Sequence, residues 1–550
     1  MRLLRWLLTA CIVVAPISAQ SQPSGVFAIW PGHVTSDLTL PHVSGGQVMV
    51  QWRDIEPDAP GEFDWEPVER QLGRISAAGL TATIQVNARR HPNWLVDSVP
   101  RLTPAQLADR ALATIAGKTD NPAGMPMYWH PAYLSAMQGM VEALAQFVLR
   151  SDLRKSVAGI RMNYNAIGTE HWLVPTKVRS ADQWNLPAGV EPGTDWTFGT
   201  VDAYRRAVEG FYLDAFGYRG SDKPITTVYM RARQDASDDY ANMLQGDNRI
   251  GVFHTSSEPE PFTLGQEEQY EFFRRFCAAG NRPCYAEPWS AAVNHKQRYN
   301  VPPMSAEQWH YWRHLGDLQL GASIVAEYAP DLRAEEPAEA FAKTRAFTSR
   351  YAGTLGRPDL APGGWIAFRD GEYLRGDYEF LIQAENAGQA PGYTDWLPTS
   401  ANLGEDEDAR YGVWSRVIQA GDEIRLHINP TLLASLPEAT GVEIRVVAKP
   451  ADPAAVSTLP IKPPAGLSLA TESDAADARD DTASSELGLL LRVTGPSTPI
   501  LMHLDSTDEG WSELVQPVAA LDPSGVDWTL KAENGAVQIH LFELRRASGE

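Results

Sequence analysis

The chain has 550 residues, 43% of them hydrophobic and 21% charged, which excludes global disorder and exceeds what one hydrophobic core usually organises. A formal net charge of −22 argues against nucleic acid and other polyanions as partners unless a local basic patch intervenes. The 17 tryptophans and 18 tyrosines suit a carbohydrate partner, because flat rings stack on the apolar faces of sugars, although any single ring is more often core filling.

In chain order, Met1-Arg2-Leu3-Leu4-Arg5 and the apolar run to Ile17, followed by Ser18-Ala19, read as a secretory signal peptide over 1–19. The mature protein is therefore expected to be secreted or periplasmic. Leu8-Thr9-Ala10-Cys11 also matches a lipoprotein box, but only ten residues precede the cysteine and the apolar stretch runs past it, so this is the secondary reading. No later segment reaches the ~18 continuous apolar residues of a membrane span. Cys277 and Cys284 remain after cleavage, and an oxidising compartment favours a disulfide between them over two buried thiols. Without paired histidines nearby they do not make a zinc site, and neither metal nor organic cofactor is expected.

From Gly25 to Tyr328, short apolar or β-branched runs alternate with longer helical stretches, the pattern of a parallel sheet wrapped by helices. Strands are expected over 26–30, 47–52, 81–87, 157–163, 225–230, 250–254, 283–287 and 322–328, and helices over 65–78, 133–149, 201–216, 265–277 and 305–318. Eight such strands close a (β/α)8 barrel, placed at 20–365, and the long loops at 93–129 and 172–200 fall where this fold builds its cleft. From 366 to 550 the texture turns to short alternating runs such as Glu423-Ile424-Arg425-Leu426-His427-Ile428, which indicates an antiparallel β-sandwich. The stretch 470–485 reads as a loop or linker. The sandwich is read first as a packing and solubility module, with carbohydrate binding as the alternative.

Polar residues at the C-terminal ends of barrel strands point into the mouth, so the chemistry is sought there. Strand four runs into Arg161-Met162-Asn163-Tyr164-Asn165-Ala166-Ile167-Gly168-Thr169-Glu170-His171-Trp172, and strand seven ends in Cys284-Tyr285-Ala286-Glu287-Pro288-Trp289. Two carboxylates across one cleft suit glycosidic cleavage, one protonating the leaving oxygen and one attacking the anomeric carbon. Glu170 and Glu287 are that candidate pair, with Glu258 and Glu327 as lower-ranked alternatives to Glu287. Substrate contacts are expected from Arg53, Asn87, Tyr229, His254 and Glu327 at strand ends, from Tyr285 on the face of strand seven shared with Glu287, and from Trp172 and Trp289 as sugar platforms alongside Trp30 and Trp52. Each competes with the plainer role of a satisfied buried group.

These stretches resemble the retaining (β/α)8 glycoside hydrolases of clan A, closest to the family 42 β-galactosidase group. The resemblance rests on Gln51-Trp52-Arg53-Asp54-Ile55-Glu56-Pro57 with Gly61-Glu62-Phe63-Asp64-Trp65, on Glu287-Pro288-Trp289-Ser290-Ala291-Ala292-Val293-Asn294 with Asn300, and on Trp309-His310-Tyr311-Trp312 with Gly321-Ala322. It implies double displacement with Glu170 as general acid/base and Glu287 as nucleophile, and it points towards a poly- or oligosaccharide, galactose-containing glycans included. The clan places Asn directly before the acid/base, where this chain has Thr169, so Asn163 or Asn165 supplies that contact from upstream or the sugar is recognised differently. A barrel that binds glycans without cleaving them and a polysaccharide lyase are the alternatives. The oligomeric state is not legible.

Overall fold

A computed structural model describes residues 22–29, 35–108, 124–164, 178–220, 224–232, 238–259, 267–278, 282–294, 305–368, 377–384, 415–437, 441–451, 489–495, 499–504, 510–518 and 521–547. The leader 1–19, the stretch 470–485, Trp30, Asn165, Thr169, Glu170, Trp172 and Asn300 lie outside the described residues.

Eight parallel strands close a barrel in chain order: β1 Gly25–Ile29, β2 Val43–Gln51, β3 Thr81–Asn87, β4 Val157–Arg161, β5 Val228–Arg231, β6 Gly251–Ser257, β7 Cys284–Pro288 and β8 Ile324–Tyr328. Strand β8 pairs back onto β1, from Gly25 opposite Ile324 to Ile29 opposite Tyr328, and so leaves no barrel edge exposed. Side chains alternate across each strand. Phe27, Ile29, Tyr229, Phe253, Tyr285, Ile324 and Ala326 cluster inside the barrel, while Val48, Ile84, Ile160, Val252, Ala286 and Val325 join the core beneath the helices. Strand β2 starts earlier than its apolar pattern announces, because Gly45 sits where a Cβ would come within 2.3 Å of the Phe27 ring. Gly159 likewise leaves room for Tyr229, whose Cε2 would lie 2.4 Å from an added Cβ.

The helices wrapping the barrel are α1 Glu66–Ala77, α2 Pro131–Arg150, α3 Phe198–Ala215, α4 Asp238–Gly246, α5 Glu267–Cys277, α6 Ala306–Gln319 and α7 Ala338–Tyr351. Pro67 and Pro131 stand at the first helical turns of α1 and α2, where the missing N–H costs nothing. Ser305 and Gln308 form a reciprocal capping box that starts α6. The disulfide forms: Cys277 at the end of α5 is bonded to Cys284, the first residue of β7, with Cα atoms 6.0 Å apart. This ties the strand carrying Glu287 to the helix before it.

Beyond the barrel, two antiparallel sheets face each other. One is built on Gly363–Ala367, Val442–Pro450, Ser512–Pro517 and Val537–Arg546, the other on Glu423–Ile428, Asp527–Ala532, Leu489–Thr494 and Ile500–Leu504. Glu423–Ile428 alternates exposed and buried positions without a break, which is why its strand was readable. Ile424, Leu426, Ile428, Ile444, Val446, Leu491, Trp528, Leu530 and Phe542 fill the space between the sheets. A third core joins sandwich to barrel: Trp309, Trp312 and Leu315 of α6 and Phe341 and Tyr351 of α7 pack with Trp365, Phe380, Val447 and Leu541. Hydrogen bonds lock the same seam, with Tyr311 Oη 2.7 Å from His540 Nε2 and Tyr351 Oη donating to Glu543 at 2.6 Å.

Candidate active site

Strand parity decides which polar residues reach the barrel axis. On β7, Tyr285 faces inward and Ala286 outward, so Glu287 returns to the inner face at the C-terminal end of the strand. There the buried Glu287 carboxylate is held by Arg161 of β4, whose Nη1 lies 2.5 Å from Oε2, and the Tyr328 hydroxyl at the end of β8 stands 3.5 Å from Oε1. The Arg161 guanidinium lies 3.8 Å from the Phe253 ring centroid and 4.7 Å from that of Tyr285. A buried guanidinium cannot shed its proton, so it favours the anionic carboxylate, and the two aromatic faces partly replace the water it has lost. Three strands thus fix one carboxylate at the mouth.

Arg161 and Tyr328 were not singled out from sequence, yet both carried a readable signal. Arg161 lies two residues before Asn163 on the same strand face. Tyr328 has the parity of Ile324 and Ala326, which places it inside.

The other expected contacts divide by the same rule. Asn163 and Asn87 come together, Asn163 Nδ2 donating to Asn87 Oδ1 at 2.9 Å, and the chain of amides continues through Gln85, which donates to Asn87 at 2.5 Å, and Gln47, which donates to Gln85 at 3.2 Å. These contacts organise the barrel interior. Tyr285 supports Arg161 through its ring. Tyr229 lies deeper, fully buried against Tyr285 with centroids 5.7 Å apart, and burial raises its hydroxyl pKa well above the usual phenol range. It fills the barrel core. Arg53, in the short helix Trp52–Ile55 after β2, is half-buried, as is Trp289 after Glu287, whose N–H donates to Ser257 O at 3.0 Å.

Trp52 is core and no sugar platform: it is buried, edge-on to Tyr133, with its indole N–H donated to Glu56 at 2.6 Å. In the described parts of the long loops, Trp129, Trp184 and Trp196 are also buried, and the loops are stitched together where Trp129 Nε1 donates to Thr194 O at 2.8 Å.

Two further expectations are corrected. His254 follows the inward Phe253 and therefore points outward, its ring centroid 5.1 Å from that of Phe273 on α5, and burial lowers its pKa to about 3. It does not face the mouth. Glu327 follows the inward Ala326 and also points outward, where Arg345 Nη1 reaches its Oε1 at 2.7 Å and His310 Nε2 at 3.3 Å. Both were chosen for their place near a strand end, which does not fix the side-chain face. Glu258 is buried just after β6.

Glu327, His310 and His314 place ligand atoms within 4.8 Å of one another, a spacing that invites a metal. The donors do not suit one. His314 Nε2 is 2.6 Å from Arg313 Nη2 and its Nδ1 is 2.8 Å from Thr348 Oγ1, so both ring nitrogens are engaged, and two guanidinium groups oppose a further cation. The network instead braces the strand ends flanking β7. Ser257, ending β6, donates to Asp317 of α6 at 2.5 Å, Arg313 pairs with Asp317 at 3.0 Å, and Glu327 anchors β8. Asp331, in the short helix Ala329–Leu332, accepts from Ala292 N at 2.8 Å and Val293 N at 3.0 Å and so fixes the turn following Glu287.

Fold and site together define a (β/α)8 barrel with a buried carboxylate–arginine pair at its mouth and a docked β-sandwich. No family profile matches the chain and no curated protein sequence matches it. Among solved structures it is similar to the catalytic domain of a β-amylase from Paenibacillus polymyxa, at 10% identity over 61% of this chain and 99% of that one, with a TM-score of 0.36. It is also similar to a β-galactosidase from the psychrophilic Marinomonas ef1, at 14% identity over 60% of each chain and a TM-score of 0.37. A third is endo-glycoceramidase II from Rhodococcus sp., at 12% identity over 92% of this chain and 97% of that one and a TM-score of 0.34. Likeness this distant carries no argument about activity. The strand pairing itself fixes the barrel.

Proposed function

We propose that the protein is an exported glycoside hydrolase acting on a poly- or oligosaccharide by double displacement, with Glu287 as nucleophile and Glu170 as general acid/base. The observation that carries the reading is the placement of Glu287: an inward carboxylate at the end of β7, supplied with a permanent cation by Arg161 and a hydroxyl by Tyr328. A nucleophilic carboxylate must be anionic, fixed in direction and open to the ring carbon it attacks. Arg161 on Oε2 serves the first two needs and leaves Oε1 to attack. Tyr328, at 3.5 Å from Oε1, is loosely held and can follow that oxygen as its charge is consumed.

In the first step the Glu287 oxygen bonds to the anomeric carbon while Glu170 gives its proton to the departing glycosidic oxygen. In the second, Glu170 takes a proton from water, whose oxygen displaces Glu287 with net retention. Retention requires the two carboxyl groups ~5–5.5 Å apart. The amide that orients the sugar comes on this reading from Asn163 or Asn165. Galactose-containing glycans come first as substrates, from the resemblance of the strand-seven loop. The leader 1–19 supports export, and the Cys277–Cys284 bond suits an oxidising compartment.

The test is reducing-sugar release across a glycan panel by wild type, Glu170→Gln and Glu287→Gln. We expect release by the wild type and a fall of ~10³-fold or more in Glu287→Gln. Glu287→Gly should regain turnover with azide and give a glycosyl azide of inverted configuration. Unchanged turnover in Glu287→Gln would remove the proposal, and new ultraviolet absorbance from an unsaturated sugar would replace it with a lyase.

A further inference from the structure

The helices of the barrel run antiparallel to its strands, so the C-terminal ends of α5 and α6 lie at the end of the barrel away from Glu287. There, between these helix ends and the sandwich, lies a cleft of about 1030 Å³. Pockets that hold small organic ligands span roughly 300–1,000 Å³, so this one accommodates several sugar units. Its position at the seam of two domains is typical of binding sites.

The walls mix apolar and polar groups, and the polar ones are richer in donors than in acceptors. Arg274 and Arg275 stand exposed at the end of α5 and line the cleft, with Arg274 near enough to Glu379 to act on its charge. Opposite them are Asn429, His427, Gln383 and Glu379 of the sandwich. Asn429 spends its Oδ1 on the N–H groups of Thr431 and Leu432, at 2.9 and 3.2 Å, which leaves its Nδ2 to donate. His427 turns Nδ1 to Asp527 at 3.1 Å, leaving Nε2. Gln383 donates to Glu379 at 3.3 Å, which leaves Oε1 to accept from a hydroxyl. Among the described lining residues, Glu379 is the one carboxylate that would repel an anion. Burial, reinforced by Asp377, pushes its carboxyl up to about 7, so near neutrality it is protonated for much of the time and can itself donate.

We propose that this cleft is a second binding site, for an anionic oligosaccharide whose carboxylate or sulfate is held by Arg274 and Arg275. Guanidinium groups are matched to planar or tetrahedral oxyanions, which they bind with paired hydrogen bonds. The remaining donors and the Gln383 oxygen suit the hydroxyls of the same sugar chain. The patch is local: the chain as a whole carries −22, so only an anion seated in the cleft escapes the general repulsion. The inference leans on the glycan-cleaving reading for the choice of ligand and not for the site. Its role there is to tether an acidic glycan away from the barrel mouth.

The full-length Glu287→Gln protein is titrated calorimetrically with three probes: trigalacturonate, a sulfated galactose trimer and neutral galactotriose. One or both acidic trimers should bind, and the arm that binds identifies the acidic group. That binding should weaken at least tenfold in Glu287→Gln carrying Arg274→Gln and Arg275→Gln, and again on raising salt from 50 to 500 mM, with Tm unchanged because both arginines are exposed. The site is overturned if neither acidic trimer binds, if galactotriose binds equally well, or if the arginine variants leave acidic binding intact. Hydrolysis is scored separately on the wild type. A chain with arginine-dependent binding and no sugar release keeps this site and loses the proposed activity; the converse loses this site alone.

Discussion

Arg161→Met removes a buried charge that balances Glu287, and breaking one side of such a pair costs about 3–5 kcal/mol. On the proposed mechanism kcat/KM falls by ~10²-fold or more, and the acid limb of its pH profile moves to higher pH, because the neutral carboxyl is now the favoured form. Arg161→Lys should recover part of both. A pH profile on an aryl glycoside that matches wild type would show that Glu287 is not the group Arg161 serves in turnover. Tyr328→Phe should be milder, about tenfold in kcat, since its contact at 3.5 Å is weak. The residue scale is also where sequence reading was weakest. Glu287 was found because a carboxylate among aromatics at the end of strand seven is distinctive. Glu327 and His254 were misplaced because nearness to a strand end was weighed without counting parity from an inward neighbour, a count that Phe253 and Ala326 make possible. Arg161 was passed over because a lone arginine inside a strand reads as a solvated charge until its opposite partner is known.

The elements that position β7 make separable predictions. Cys277→Ser with Cys284→Ser releases the strand from α5 and should lower stability by about 2 kcal/mol, the value for a short closed loop, measured by denaturant unfolding under oxidising conditions. Retained stability would mean that packing alone sets this junction. Glu327→Gln withdraws the charge opposing the buried Arg345, so it should lower Tm by several degrees while leaving KM near wild type, because the side chain faces the helices. A large KM effect without a Tm effect would return Glu327 to the substrate side. Most strands and five helices were legible, since period-two and period-3.6 patterns were clear. Helix α6 was recognisable through its Ser305 cap even though it is buried from Gln308 to Leu318, whereas α4 and α7 passed unread between stronger signals. The start of β2 was hidden because its glycines answer to the Phe27 ring and not to a strand pattern.

At the scale of the whole molecule, barrel and sandwich share a core, so they are not expected to behave as independent modules. A chain ending at residue 362 would expose Trp309, Trp312, Leu315 and Phe341, and should aggregate or melt well below the full protein. A soluble, cooperative barrel of unchanged Tm would contradict this. Both architectures were legible in the residue pattern but this seam was not, because the apolar face of a barrel helix looks the same whichever layer covers it. Acid should unfold the protein through its buried histidines. Burial lowers His91 and His254 to about 3, against 6.5 when unfolded, so between those values the unfolded chain binds more protons and stability falls as pH falls. Asp317 and Glu379, raised to about 6 and about 7 by burial, act in the opposite sense and lose stability as pH rises, while His314, also lowered by burial, adds to the histidine side. Tm should therefore decline from pH 6.5 to 4, and less steeply in His254→Gln. The most direct measurement of the central claim is covalent trapping with a 2-deoxy-2-fluoro glycoside of a cleaved sugar, followed by peptide mass spectrometry. The account predicts one sugar per chain, attached to Glu287; a label on any other carboxylate, or turnover with none trapped, would contradict it.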